Sequence, residues 1–223
     1  MIRFKDVLCR NLSIDSLIIP EGITSVIGMN GSGKTTLLKT CAGIHLPERG
    51  TIFIDGTPPR ETETGWVNEF PDRNLLFNFV SDEIASSLRF RQIPCNETEA
   101  RVTARIESMG ILHLKKRLVR ELSGGEKILV ALGAALVCQP SVLVLDEYDS
   151  HLDAKKVGEI EEIIRKSRVP YVIRSTQQME TAALGDYVIF LENGSVKYAG
   201  TPDSVFPLLK DTSFYPFSWR IAQ

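Results

Sequence analysis

The sequence has little of what most specialised chemistry requires. It holds three histidines and four cysteines in 223 residues, with Cys9, Cys41, Cys95 and Cys138 standing 32, 54 and 43 residues apart. Zinc and dithiol sites need cysteines close together in sequence, so neither is expected; reduced packing cysteines of a cytosolic protein are. No sign of charge prevails. Lys and Arg number 26 against 28 Asp and Glu, a net of −2, which offers no basic surplus to bind nucleic acid. Long apolar runs are missing too: the longest, Ile128 to Cys138, has eleven residues, and a bilayer span takes about 20. The opening Met-Ile-Arg-Phe-Lys-Asp is charged early and lacks the apolar stretch of a secretory leader. What is present, 43% hydrophobic and 24% charged residues, is the balance of one ample globular domain.

Short β-branched runs alternate with helical patterns. Residues 2–7, 12–19, 23–28, 51–54, 142–145, 171–175 and 187–191 read as strands. Val142-Leu-Val-Leu145 is apolar at every position and suits a strand covered on both faces. Glu192-Asn-Gly-Ser195 carries the Asn-Gly pair of a tight hairpin. The alternation predicts an α/β core with a largely parallel sheet. Residues 80–140 differ: no strand pattern appears there, Pro94 divides two helical patterns, and Asn96-Glu-Thr-Glu99 and Ser123-Gly-Gly-Glu126 both fit a capping box. The stretch reads as a helical insertion in a single domain spanning 1–223. Thr57-Pro-Pro-Arg60 is a loop.

Gly28-Met-Asn30-Gly31-Ser32-Gly33-Lys34-Thr35 matches G-x-x-x-x-G-K-[ST], follows an expected strand and precedes an expected helix at residues 36–42. Glycines let successive N–H groups curl around an anion, and the helix N-terminus adds positive potential. Lys34 is positioned for the β- and γ-phosphates of ATP, and the Thr35 hydroxyl for Mg²⁺. Asp146-Glu147 ends the apolar strand. There Asp146 is a second Mg²⁺ candidate, and Glu147 can orient and deprotonate an attacking water. Taken alone, two acids after a strand are commonplace; beside a phosphate loop they are not.

Leu122-Ser123-Gly124-Gly125-Glu126 completes the set. Read from the residues, Ser123 caps a helix whose free N–H groups face an anion. With this run the chain resembles the ATP-binding-cassette (ABC) ATPases, whose signature is Leu-Ser-Gly-Gly-Gln. Ser150-His-Leu-Asp153 looks like the family's dimer-contact loop. Gly65-Trp-Val-Asn-Glu69-Phe-Pro-Asp72, followed by Val80-Ser-Asp-Glu-Ile-Ala85, is similar to ATPases of energy-coupling-factor (ECF) vitamin and metal importers. The resemblance implies an α/β P-loop core with an N-terminal antiparallel β subdomain and a helical subdomain at about 80–140. It implies ATP and Mg²⁺ as ligands, with Gly28, Asn30, Gly31, Ser32, Gly33, Lys34, Thr35 and Thr36 on the nucleotide. Ser123, Gly124 and Gly125 close the site of a second ABC ATPase subunit. Transmembrane transporter subunits are the other expected partners, nucleic acid is not one, and the expected location is the cytoplasmic face of the cell membrane, held peripherally.

Three positions depart from the family. Glu69 stands where a Gln near Mg²⁺ and the water is usual; as a third candidate at the metal it can still accept from a metal-bound water, but it adds negative charge beside a triphosphate. Gln177 stands where a His contacting the γ-phosphate is usual; it can donate a hydrogen bond but carries no positive charge. Between the first two strands, Leu8-Cys-Arg-Asn11 has no aromatic to stack on adenine, leaving Arg10 or a backbone contact in its place. Two readings follow: an ATPase energising solute uptake, with Glu147, Gln177 and Glu69 at the reacting centre, or a slow, degenerate nucleotide-binding subunit of an asymmetric ATPase pair. A non-transport ABC ATPase is a third, weakened by the absence of heptads and of a second copy of the motifs. Leu75-Leu-Phe-Asn-Phe79 is a candidate docking surface, and the C-terminal Ser218-Trp-Arg-Ile-Ala-Gln223 packs on the core or on a partner.

Overall fold

Ile2–Cys9 (β1) and Leu12–Ile19 (β2) bury matching positions that alternate on either side of a one-residue break at the centre, the period of a strand with one wet face. They form an antiparallel hairpin whose register closes at Cys9 opposite Leu12, and β1 pairs on its other edge with Arg49–Ile54 (β4). The resulting three-stranded sheet runs β2-β1-β4. The computed structural model describes residues 1–73 and 75–221; Ala222 and Gln223, the end of the C-terminal stretch singled out above, lie outside them.

The second sheet has six strands. Gly22–Gly28 (β3), Thr64–Val67 (β5), Val142–Asp146 (β6), Tyr171–Ser175 (β7), Tyr187–Glu192 (β8) and Ser195–Gly200 (β9) run in the order β5-β6-β7-β3-β8-β9. All neighbours are parallel except β8 and β9. The Asn193-Gly194 pair joins those two as read from the sequence, with φ of 49° and 79°, the two left-handed residues that such a hairpin demands. Strand β5 was not among the expected strands; four residues including Gly65 carry almost no periodic signal.

Helices Lys34–Cys41 (α1), Val80–Phe90 (α2), Cys95–Ser108 (α3), Gly124–Leu136 (α4), Ala154–Ser167 (α5), Met179–Ala183 (α6), Pro202–Val205 (α7) and Phe217–Ile221 (α8) fill the connections. Helices α2 to α4 fall between β5 and β6, which are nonetheless neighbours in the sheet. The chain thus leaves the sheet and returns beside its point of departure. Ser123 forms the capping box read from the sequence. Asn96 does not cap: α3 begins one residue earlier, from an extended Pro94 with no side-chain cap bond, so Asn96 lies inside the first turn. Helix α1 begins at Lys34, two residues before the expected start.

Strand β6 bears out its all-apolar sequence. Val142 and Val144 face the layer between the two sheets with Ile2, Leu12, Leu37 and Ile173. Leu143 and Leu145 face the opposite layer with Ile84, Leu129 and Ile160 from α2, α4 and α5. A third cluster, around Phe190, Phe206 and Tyr215, anchors the C-terminal segment. No described helix is long and apolar enough to cross a membrane.

Candidate functional site

Strand β3 lies in the middle of the parallel sheet, between β7 and β8, where crossovers part to either side and leave a crevice at the strand ends. It hands the chain to residues 28–33. Two glycines there are required by geometry: a Cβ on Gly28 would sit 2.3 Å from the Leu191 carbonyl oxygen, and Gly33, at φ 105°, begins α1 in a conformation other residues seldom adopt. Lys34 is 6% exposed. Its Nζ donates to the carbonyls of Gly28 (3.0 Å) and Met29 (3.3 Å), and lies 3.6 Å from Glu147 Oε1. The ammonium is therefore curled into the loop and already faces a carboxylate. The loop is stapled from outside by Asn11, whose Nδ2 donates to the Gly31 carbonyl at 3.2 Å and whose Oδ1 accepts from the Thr36 hydroxyl at 2.9 Å. From the other side the Gly194 amide donates to the Ser32 carbonyl at 3.0 Å. The two-residue turn is tight: Arg10 sits at φ 56° and its amide donates to Glu48 Oε1 at 2.9 Å.

The second half of the cluster comes from the ends of β6 and β7. The Thr35 hydroxyl donates to Asp146 Oδ1 at 3.3 Å, and Ser175 Oγ donates to the same oxygen at 2.7 Å. Glu147 turns at φ 48°, its amide donating to Ser175 Oγ at 3.0 Å and to the Ser175 carbonyl at 3.1 Å. Gln177 Nε2 donates to Glu147 Oε2 at 2.8 Å and reaches Asn30 Oδ1 at 3.5 Å. So Asn30, Lys34, Thr35, Asp146, Glu147 and Gln177, six residues from three segments, meet at one point.

Behind them lies a buried polar layer. Thr176 Oγ1 donates to Asp149 Oδ2 at 2.6 Å and Gln178 Nε2 to the Asp149 carbonyl at 2.6 Å. Asp149 is 1% exposed, its other oxygen has no hydrogen-bond partner, and burial holds its carboxyl above the ordinary carboxylate range. Tyr148 and Arg174 both donate to Glu161 on α5, and Arg174 Nε also donates to Ser25 Oγ at 3.0 Å. Burial pushes the Tyr148 hydroxyl well above its usual range.

Ser123, Gly124 and Gly125 open on a different surface. Ser123 Oγ accepts from the Glu126 amide at 3.3 Å, and Glu126 Oε2 accepts from the Ser123 amide at 2.7 Å; that amide holds the Glu126 carboxyl below its usual range. The start of α4 meets the start of α5 in a cavity of about 350 Å³ lined by Ser123, Gly125, His151, Leu152, Lys155 and Lys156. Among the described residues, no hydrogen bond or ion pair joins 123–125 to 28–36. Glu69 is brought to His151, Oε1 to Nε2 at 3.9 Å, and His151 also meets the Phe70 ring at 5.5 Å; no described contact joins Glu69 to Thr35 or Asp146. The motifs thus separate into a Lys34–Asp146–Glu147–Gln177 cluster and a Ser123–His151 cavity. Ser175 and Asn11 escaped sequence reading, since a lone Ser or Asn carries no pattern; His151 lies in the Ser150–Asp153 run read there as a dimer-contact loop.

The donor set fits a magnesium nucleotide. Thr35 and Asp146 place two hard oxygens side by side, the scant protein ligation that Mg²⁺ accepts when phosphates and water complete its shell. No described group of three or more acidic, His or Cys side chains forms an all-protein metal site. Ser32 Oγ, buried in the loop, has no partner.

The ABC transporter family matches residues 12–150. The chain is 35% identical over 192 residues to the energy-coupling factor transporter ATP-binding protein EcfA1 of Streptococcus agalactiae, covering 82% of this chain and 69% of that one. It is 34% identical to the trehalose/maltose import ATP-binding protein MalK of Thermococcus litoralis, covering 86% of this chain and 55% of the relative. Among solved structures, cbiO1 from Clostridium perfringens, described as part of the ABC transporter complex cbiONQ, superposes with a TM-score of 0.84 at 28% identity, over 92% of this chain and 90% of that one. Phosphate loop, acidic strand end, capped Ser-Gly-Gly helix and these likenesses together assign the chain to the ABC transporter family, as an ATP-binding subunit similar to those of the energy-coupling factor type.

Proposed function

We propose that this chain binds and hydrolyses ATP to energise solute uptake through separate transmembrane subunits, in the manner its likeness to EcfA1 and cbiO1 suggests. The observation that carries the proposal is the meeting of Lys34, Thr35, Asp146, Glu147 and Gln177 at the mouth of the phosphate loop. Lys34 exchanges its bonds to the Gly28 and Met29 carbonyls for β- and γ-phosphate oxygens, and the amides of 30–36 surround the chain of phosphates. Thr35 and Asp146 would hold Mg²⁺, which when bound would neutralise charge on the phosphate oxygens. Glu147 takes a proton from the attacking water at a carboxylate oxygen, and Gln177 keeps that carboxylate aimed. Glu69 lies beside His151, outside the described contacts of Thr35 and Asp146.

Among the described residues, Ser123, Gly124 and Gly125 make no hydrogen bond or ion pair with this chain's own phosphate loop. They serve the nucleotide of a second ATPase subunit, so each chain supplies half of two sites. The cavity of about 450 Å³ lined by Asp72, Leu75, Leu76, Phe77, Phe79 and Arg120 is the surface for a membrane subunit in this reading, with the protein held peripherally on the cytoplasmic face by that contact.

Single-turnover hydrolysis by the purified chain, with Glu147→Gln alongside, tests the reading. Mg²⁺-dependent ATP binding, turnover that depends on Glu147, and an ATP-trapped dimer in the variant are expected. Binding without turnover would favour the degenerate partner of an asymmetric pair. No Mg²⁺-dependent affinity for adenine nucleotide, alone or with co-purifying membrane proteins, would overturn the proposal.

A further inference from the structure

The end of β7 does more than complete the sheet. Ser175 is fully buried and pairs in register with Asp146 across the parallel β6–β7 ladder, so both side chains leave the sheet on one face. The single hydroxyl makes two directed bonds. It gives its proton to Asp146 Oδ1 at 2.7 Å and takes the Glu147 amide proton at 3.0 Å. Asp146 Oδ1 thereby carries two hydroxyl donors, Ser175 and, at 3.3 Å, Thr35. Glu147 sits at φ 48°, a left-handed conformation that a side chain with a Cβ persists in only when its surroundings hold it. The following residues continue the seam. Thr176 bonds Asp149, Gln177 bonds Glu147 and Gln178 bonds the Asp149 carbonyl, so the loop after β6 is held to the loop after β7 along its length.

We infer that Ser175 is a positioning residue for the proposed hydrolysis, orienting the Asp146 carboxylate for the metal and fixing the Glu147 backbone so that its carboxylate faces Lys34 and Gln177. Neither the phosphate-loop motif nor the Asp-Glu pair calls for a hydroxyl here. An alanine would leave both the carboxylate and the amide one partner short. The inference rests on the hydrolytic reading above.

Ser175→Ala removes one oxygen from a packed strand, and Ser175→Thr returns the hydroxyl on a residue at home in a strand. Binding of a fluorescent ATP analogue to the full chain is followed across a Mg²⁺ titration, with single-turnover hydrolysis measured beside it. In the alanine variant the Mg²⁺ midpoint rises and the rate falls, each by about tenfold or more, as loss of an outer partner of a metal ligand commonly does. Nucleotide affinity in the presence of EDTA stays unchanged, and the threonine variant recovers midpoint and rate. An unchanged Mg²⁺ midpoint in Ser175→Ala, even with a lowered melting temperature, would overturn the inference and leave a purely structural serine. A wild-type chain with no Mg²⁺-dependent nucleotide binding would overturn the hydrolytic reading and this inference together; wild-type binding and Glu147-dependent turnover, unaltered by the alanine, would remove the inference alone.

Discussion

Gln177 shows how much a single side chain decides. Its amide holds Glu147 at 2.8 Å, and in the proposed hydrolysis this supplies orientation without positive charge. Charge placed where it develops in a transition state is among the strongest catalytic effects. Gln177→His is therefore expected to raise the single-turnover rate by about tenfold or more, measured below neutral pH where the imidazole is protonated, whereas Gln177→Ala lowers it. Asp149 makes a different prediction. Burial raises its pKa in the fold, so between the ordinary carboxylate range and that raised value the native state binds more protons than the unfolded chain, and stability falls as pH rises through the window. Asp149→Asn removes the charge and retains an acceptor for Thr176. The variant is expected to melt higher than wild type at neutral pH, with the gap closing toward the acid end of the window, as thermal denaturation across pH will read. The residues legible in advance were those fixed by spacing: Lys34, Thr35, Asp146, Glu147 and Ser123. Asn11 and Ser175 were not, because each acts through partners 20 or more residues away in sequence, and one sequence says nothing of such pairings.

At the level of elements, strands that bury alternate or all positions announced themselves, and β6 did so most plainly. Strand β5 did not. Its identity comes from the partner: Gly65 pairs with Leu143 of β6, and a Cβ on Gly65 would stand 2.7 Å from the Ala135 carbonyl oxygen and 3.1 Å from its Cβ on α4. A segment with almost no periodic signal is thus the place where the helical stretch is pressed against the sheet. Gly65→Ala should cost about 1–3 kcal/mol, the ordinary penalty of overpacking, read as a lowered denaturant midpoint. Asn96 illustrates the converse error. Asn-x-x-Glu is a capping pattern by composition, but Pro94 delivers the chain into α3 directly, leaving Asn96 inside the first turn where it caps nothing.

For the whole molecule the informative surface is the cavity beside α2. Leu76 is 76% exposed and its amide, like that of Phe77, donates to the buried Glu83 carboxylate at 2.7 Å. The backbone is fixed while the side chain remains presented outward. Leu76→Glu is expected to leave ATP binding and melting temperature near wild type while releasing the protein from detergent-solubilised membrane subunits, as co-purification will show. Retention of those subunits would move the docking face elsewhere.

The turn at Arg10 and Asn11 carries one more consequence. Hairpin tips are ordinarily the forgiving spots of a protein, where linkers, tags and extra residues slip in without harm. This one is wedged between the anion cradle and the opposite β8–β9 tip, with Asn11 touching Gly31 and Thr36 and the Ser13 amide reaching Gly194 at 2.8 Å. A two-residue extension there is expected to strain residues 28–36 from the outside and to weaken the nucleotide binding proposed for them, even though it lies on a hairpin tip.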